Sequence, residues 1–179
     1  MGSALGRKGF MNVAVGSKEE GLVACKGGKF LTFSLGRESY GLRILQVREI
    51  IRLPEITHVP CMPSYMRGVI NLRGKVVPVA DLRAKFGLPK DTQSERTCVI
   101  VVELAARGKS LMGLMVDAVE EVSNIPSADI EPTPDFGVRL NIDYILGIAK
   151  VKGGVKTLLD IDRVICDEAL KGLRSAAAA

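Results

Sequence analysis

Short apolar runs, each closed by glycine, proline or charged residues, mark the chain from Phe30 to Leu159. FLTFSL opens at Phe30 and VIVVEL at Val99. Both are rich in β-branched or aromatic side chains, and turn residues follow each, GRES from Gly36 and ARGKS from Ala106. Runs of that length and make-up predict strands. Further on, GVINL and VVPVADL flank Arg73-Gly74, which predicts a hairpin turning on that pair, and Lys152-Gly153-Gly154 marks a second. Glycine at such a tip supplies a positive φ at little steric cost. The run YGLRILQVREII from Tyr40 is ambiguous: Ile44, Val47 and Ile50 are spaced by three, as on a helix. Gly41 before it and Pro54 after it favour a bent strand. Asp81 before LRAKF, and Asp160 or Asp162 before RVICDEALKGL, predict short helices, because an aspartate N-cap accepts the orphan N–H groups of the first turn.

The same order of blocks occurs twice. Laying Gly41 on Gly113 puts Leu42 on Leu114, Ile44 on Val116, Val47 on Val119, Glu49 on Glu121 and Ile50 on Val122. Downstream, Tyr65 meets Tyr144, Gly68 meets Gly147, Arg73-Gly74 meets Lys152-Gly153 and Asp81 meets Asp160. The offset grows from 72 residues (Gly41 to Gly113) to 79 (Arg73 to Lys152), so the second copy carries a longer middle loop, PSADIEPTPDFGVRLN. Five short strands per copy, with copies at about 30–90 and 97–165, predict a mainly all-β chain of two small closed barrels packed side by side.

Composition narrows the class. Of 179 residues, 47% are hydrophobic but only 4% aromatic, with no Trp, so the core must be built from Val, Ile and Leu. The formal charge of +5 is spread along the chain, which favours solubility over a polyanion partner. Cys25, Cys61, Cys98 and Cys166 are far apart, which fits reduced thiols better than a disulfide or zinc framework. No secretory or membrane-spanning run is visible, so the expected location is the cytoplasm.

Candidate chemistry mostly falls away. GKS at Gly108 lacks the first glycine of a phosphate loop, since residue 103 is Glu103, and it lies between strands where no helix N-terminus can cradle phosphate. His58 is the only histidine; in EITHVPCMP it reads as a surface-loop residue near a buried thiol, Cys61. Glu120 and Glu121 adjoin on a strand, so alternation sends them to opposite faces and they cannot share a proton. Asp160 and Asp162 read as caps. Phe30 and Phe33 read as core, and Tyr40, Tyr65 and Tyr144 as structural, which leaves no aromatic and basic platform for an oligonucleotide. No catalytic set or cofactor site remains, and binding through protein surface is the expected activity. An oligonucleotide-binding double barrel is the competing reading.

FSLGRESYGLRILQVREI from Phe33, YMRGVINLRGKVVPVADLRAKFG from Tyr65 and MGLMVDAVEEV from Met112 together resemble the CheW family of chemotaxis coupling proteins. The likeness spans residues 30–169, leaving 1–29 as an expected flexible extension and 170–179 as a tail. It implies two SH3-like five-stranded barrels with short helices and a C-terminal helix. It also implies a non-catalytic adaptor, without cofactor, nucleic acid or membrane insertion of its own. The implied partners are the histidine kinase CheA, through its regulatory domain, and the cytoplasmic tip of transmembrane chemoreceptors, with self-association in array rings as a further option. Leu31, Ile44, Val47, Ile50 and Val119, with Gly113 nearby, match the family's receptor groove; from spacing alone the aliphatics would read as barrel core. Glu49, Gly68, Arg73, Gly74 and Cys98 match positions of receptor or kinase coupling. Arg73 stands out because no folding argument demands a guanidinium at a hairpin tip, where it can offer a forked, permanently charged donor.

Overall fold

The computed structural model describes residues 25–134 and 142–165; the predicted tail, 170–179, lies outside the described residues, and of the predicted N-terminal extension, 1–29, only 25–29 are described, with Cys25 buried and Gly28–Lys29 already in the first strand. The fold is mainly β, as the turn-punctuated runs predict. Chain order runs β1 (Gly28–Leu35), β2 (Glu38–Arg43), β3 (Val47–Arg52), β4 (Met66–Leu72), β5 (Lys75–Asp81) and helix α1 (Leu82–Lys85). The second half supplies β6 (Cys98–Leu104), β7 (Ser110–Val116), β8 (Ala118–Ile125), β9 (Ile130–Glu131), β10 (Ile145–Val151), β11 (Gly154–Leu159) and α2 (Ile161–Ile165). Among the described residues no helix is long and apolar enough to cross a membrane.

The two sheets do not follow the two sequence copies. One has the order β8-β1-β2-β11-β10-β9 and the other β3-β6-β7-β5-β4, so each draws strands from both halves of the chain. The run from Tyr40 does bend, and its bend is where the chain changes sheet: β2 ends at Arg43, a short 3-10 turn covers Ile44–Gln46, and β3 begins in the other sheet. The second copy makes the same crossing at Asp117, between β7 and β8. Two parallel pairings complete the exchange, Val79–Asp81 of β5 on Gly113–Met115 of β7 and Thr157–Leu159 of β11 on Tyr40–Leu42 of β2. A copy that closed on itself would leave those strands without partners.

The repeated glycines and aspartates sit where this exchange is tightest. A Cβ on Gly41 would come within 2.9 Å of Leu158 Cδ2, and one on Gly113 within 2.8 Å of Val99 Cγ1. On Gly68 it would lie 2.0 Å from the Thr57 carbonyl oxygen, and on Gly147 2.7 Å from Ile130 Cγ2. The Asp81 and Asp160 N–H groups each donate over 2.7 Å to the carbonyl of Tyr65 or Tyr144. Both side chains cap as predicted, accepting from Ala84 N and Arg163 N. Asp162 is not a cap: its carboxylate accepts from Ala106 N (3.1 Å) and Gln46 Nε2 (3.0 Å), tying α2 to the first crossing and to the β6–β7 turn.

Asp162 has a counterpart across the repeat. Asp117, at the second crossing, accepts from Gly36 N over 2.6 Å in the β1–β2 turn and from the Arg83 guanidinium of α1, whose other nitrogens donate to the Pro89 carbonyl. Each crossing is thus held by one carboxylate that also takes a backbone N–H from the facing turn.

Three apolar clusters result. The largest lies between the sheets and joins Leu31, Phe33 and Leu42 of one to Ile100, Val102 and Leu114 of the other, with Leu82, Ile161 and Ile165 from the helices. Each sheet also wraps a smaller cluster, Val77, Val79, Val99 and Val101 in one and Phe30, Ile125 and Leu158 in the other. Phe30 and Phe33 are both core. Phe33, Tyr40, Phe86 and Tyr144 stack in a row with centroids 5.7–5.9 Å apart, face to face with one another rather than offered to a base. The GKS segment stays strand-turn-strand, with Gly108 and Lys109 left-handed between β6 and β7. Cys61, expected near His58 as a buried thiol, is exposed in a left-handed loop conformation.

Alternation fails at Glu120. β1 and β8 pair Thr32 with Glu121 but Phe33 with Val119, so Glu120 is the extra residue of a bulge. Both neighbouring carboxylates therefore reach the Lys156 ammonium, at 3.0 Å from Glu120 and 3.5 Å from Glu121. Thr32 Oγ1, fully buried, accepts from the same nitrogen at 3.1 Å. Burial works to raise the Glu120 carboxyl, but hydrogen bonds from Ser39 and Lys156 and the Lys156 charge outweigh it and hold the group below its ordinary value.

Removing Asp117 should take the close carboxylate from a largely buried guanidinium, leaving it only the Pro89 carbonyl and the more distant Asp91, and should release the β1–β2 turn at Gly36 to solvent. Asp117→Ala is expected to cost about 2–3 kcal/mol in urea unfolding. Asp162→Ala, which orphans one N–H and a neutral amide, should cost about 1 kcal/mol. The Glu120 contribution is present above the ordinary carboxylate pKa and disappears as pH falls through the lower folded value. The stability margin of wild type over Glu120→Gln should accordingly be full at pH 7 and be lost in thermal melts as pH falls below the ordinary carboxylate value, about 4.3.

Candidate functional site

The exchange leaves β3 and β8 as edge strands, one per sheet, on the same side of the main core. Val47 and Val119, aligned in the repeat, are both half-buried against that core, together with Ile44 and Cys98. The Val119 backbone lies close enough to the Cys98 thiol to act on it, so the start of β8 comes near the start of β6. Burial raises the Cys98 thiol, and the Val119 contact only partly opposes this, so at neutral pH it is a packing group and not a nucleophile. Leu31, 2% exposed, forms the floor of the seam. Ile50 stands on its rim, 45% exposed and directly opposite Ile100 of the core.

Val122 was not singled out by sequence reasoning, yet it is the partner rim residue. It is 51% exposed and directly opposite Leu31, as Ile50 is to Ile100. The signal was in the repeat, which lays Ile50 on Val122. Leu45, 86% exposed in the crossing turn, carries further apolar surface at this edge. The seam is thus an apolar strip, with half-buried walls and two exposed rims.

Gly113 lies on β7, two strands in from β3 and on the far face, where its packing against Val79 and Val99 belongs to the inner cluster of its sheet. Gly68, buried at a bulge of β4, lets the chain after β3 come back as a bridge: Thr57 and Val69 exchange both backbone hydrogen bonds at 2.9 Å. Neither glycine is on the seam surface.

Arg73, Gly74 and Glu49 meet at the β4–β5 hairpin. Leu72 pairs with Lys75, so the loop is the two residues Arg73 and Gly74, at φ of 51° and 84°. Both central residues left-handed is the type I′ geometry that matches strand twist. Asn71 Oδ1 accepts from Gly74 N over 2.8 Å and holds the turn shut. Arg73 is 80% exposed and donates to Glu49 Oε2 at 2.8 Å. Glu49 follows the bulge in β3, so the hairpin tip leans over the back of the seam strand. At the equivalent tip Lys152 has no left-handed φ, and Val155 is exposed just as Val76 is.

A model of the CheW-like domain matches residues 29–169. Chemotaxis protein CheW of Klebsiella aerogenes is 37% identical over 142 residues, 79% of this chain and 84% of the relative. That of Helicobacter pylori is 34% identical over 138 residues, 76% and 81% of the two chains. The crystal structure of the scaffolding protein TtCheW from Thermoanaerobacter tengcongensis matches with a TM-score of 0.72 at 35% identity, covering 80% of this chain and 95% of that one. Two SH3-like β subdomains sharing a core, and a match of this extent to the family, lead to one conclusion: the chain belongs to the CheW-like domain family.

Proposed function

We propose that this chain is a non-catalytic cytoplasmic adaptor of bacterial chemotaxis, coupling transmembrane chemoreceptors to a CheA-type histidine kinase. The observation that carries this reading is the open apolar seam between the edge strands, in a chain whose relatives are named for chemotaxis and for scaffolding. The receptor's helical tip packs into the seam, over Leu31 and between Ile44, Val47, Ile50, Val119 and Val122. An amphipathic helix in an apolar groove gains affinity from buried aliphatic area, about 1 kcal/mol for each half-exposed Ile or Val that it covers. Gly113 and Cys98 act from behind, by setting how closely the strands pack.

The hairpin serves the kinase side. Arg73, held in a left-handed turn by Gly74 and steered by Glu49, offers its remaining donors to the regulatory domain of the kinase, and Gly68 fixes the base of that hairpin. Alternation of this protein with the kinase domain builds rings beneath the receptors.

Arg73→Glu, at an exposed position with one ion pair, should shift stability by less than about 0.5 kcal/mol, yet sharply reduce co-sedimentation with receptor and kinase. Wild-type co-sedimentation of that variant would remove Arg73 from the kinase surface. Val122→Asp should keep its circular dichroism and unfolding midpoint while weakening binding of a soluble receptor fragment at least tenfold, roughly 1.4 kcal/mol or more. A Val122→Asp variant that binds as well as wild type counts against the seam as the receptor site.

A further inference from the structure

The charges along the seam are not evenly arranged. Residues directly opposed on antiparallel strands share a face. Arg52 opposes Cys98 two residues after Ile50 opposes Ile100, so Arg52 stands on the seam side of β3. Lys29 opposes Asn124 as Leu31 opposes Val122, which places Lys29 on the seam side of β1. Both cations are exposed. Among the described residues neither is paired with a carboxylate, although Arg48, Arg73, Arg83, Lys150, Lys156 and Arg163 all are.

The acids of the two edge strands are spoken for on other faces: Glu49 by Arg73, and Glu120 and Glu121 by Lys156. Among the described residues of β1, β3 and β8, the seam face therefore carries these two cations and no carboxylate.

The two cations lie at opposite ends. Cys98 lies close to Val119, which brings Arg52 near the start of β8, whereas Lys29 pairs near its far end at Asn124. Because Glu120 is the extra residue of a bulge, Val119 and Asn124 stand opposite Phe33 and Lys29, four ladder steps apart, about 13 Å of strand, which matches about two turns of α-helix with the reach of the two long side chains.

Resting on the receptor-docking reading above, we propose that the seam selects an amphipathic helix whose apolar stripe is bracketed by acidic residues about seven or eight positions apart, one read by Arg52 and the other by Lys29. Positions i and i+7 or i+8 lie within about 80° of one another around a helix, so both acids can flank one stripe. The cations orient and select the helix; the aliphatic strip between them holds it.

The test titrates the full chain with a soluble cytoplasmic fragment of a chemoreceptor from the same organism. Arg52→Glu and Lys29→Glu should each raise Kd about fivefold, and Arg37→Glu, at an exposed cation of the β1–β2 turn that is in no ion pair among the described residues, should not. Raising NaCl from about 0.05 to 0.5 M should weaken wild type but hardly affect the doubly reversed variant. Replacing one bracketing acid of the fragment by lysine should restore binding to the single reversal that faces it.

If both reversals bind as wild type while Val122→Asp still abolishes binding, the docking reading stands and the charge inference is wrong. If Val122→Asp is also silent, docking at the seam fails and takes this inference with it. If deleting residues 1–24 tightens binding to wild type and to both reversals equally, the cations serve the chain's own N-terminal segment and the inference is overturned.

Discussion

Two three-residue parallel pairings hold this molecule together. β5 can find a parallel partner only in β7, and β11 only in β2, each from the other half of the chain. Glycine at 41 and 113 allows the strands to approach, and Asp81 and Asp160 end the incoming strand on a capped helical turn. Each half therefore completes the other's sheet, and the space between the sheets holds the largest core cluster. The seam follows directly. Exchanging inner strands puts the strand after each crossing, β3 or β8, at the edge of its sheet, beside the core that both sheets share.

The duplication preserves the skeleton and breaks the chemistry. Val77 and Val101, in the apolar interior of one sheet, align with Lys156 and Thr32 in the other. Glu49 and Glu121 align as well, but their carboxylates go to different cations. Glu49 reaches out to the hairpin tip, whereas Glu121 turns towards a lysine that is 12% exposed. The clamps at the crossings invert too, with Arg83 on the helix and Asp117 on the crossing in one, and Asp162 on the helix and Gln46 on the crossing in the other. Two ends of a pseudo-symmetric body that present different tips can be told apart by a partner. The alternating assembly proposed above would need that distinction, and a perfectly repeated chain would lack it.

Much of this was legible in the residue order. The strands, both hairpins, the Asp81 and Asp160 caps and the repeat register all follow from local chemistry: turn glycines, β-branched runs and N-cap carboxylates. Strand exchange did not follow, because apolar alternation states which face a residue takes but not which neighbour it finds. Asp162 looked like a cap because proximity to a helix start is all a sequence displays; its partners lie 56 and 116 residues away. The opposite-face argument for Glu120 and Glu121 failed at a bulge, which no turn residue announces. At the candidate site the aliphatic set was found only through family resemblance. The repeat could have added Val122 had Ile50 been treated as one of a pair.

An exposed apolar edge strand normally invites another strand, which raises the question of why this seam should take a helix instead. The bulges answer it. β3 breaks register between Val47 and Glu49, and β8 breaks it opposite Thr32 and Phe33, so the extra residues are Arg48 and Glu120, which occupy equivalent places in the two copies. Each is charged and engaged by a partner, Arg48 by Glu103 and Glu120 by Lys156. A bulge breaks the regular spacing of N–H and C=O groups along the free edge, so an incoming strand cannot continue the ladder across it. Side-chain contacts above the core face are unaffected by that break. A helix asks nothing of the edge hydrogen bonds, since its own are satisfied internally, and needs only the apolar rims. Loss of the edge ladder and retention of the rims together favour a helix over a strand, and the paired position of the bulges makes the preference the same on both walls.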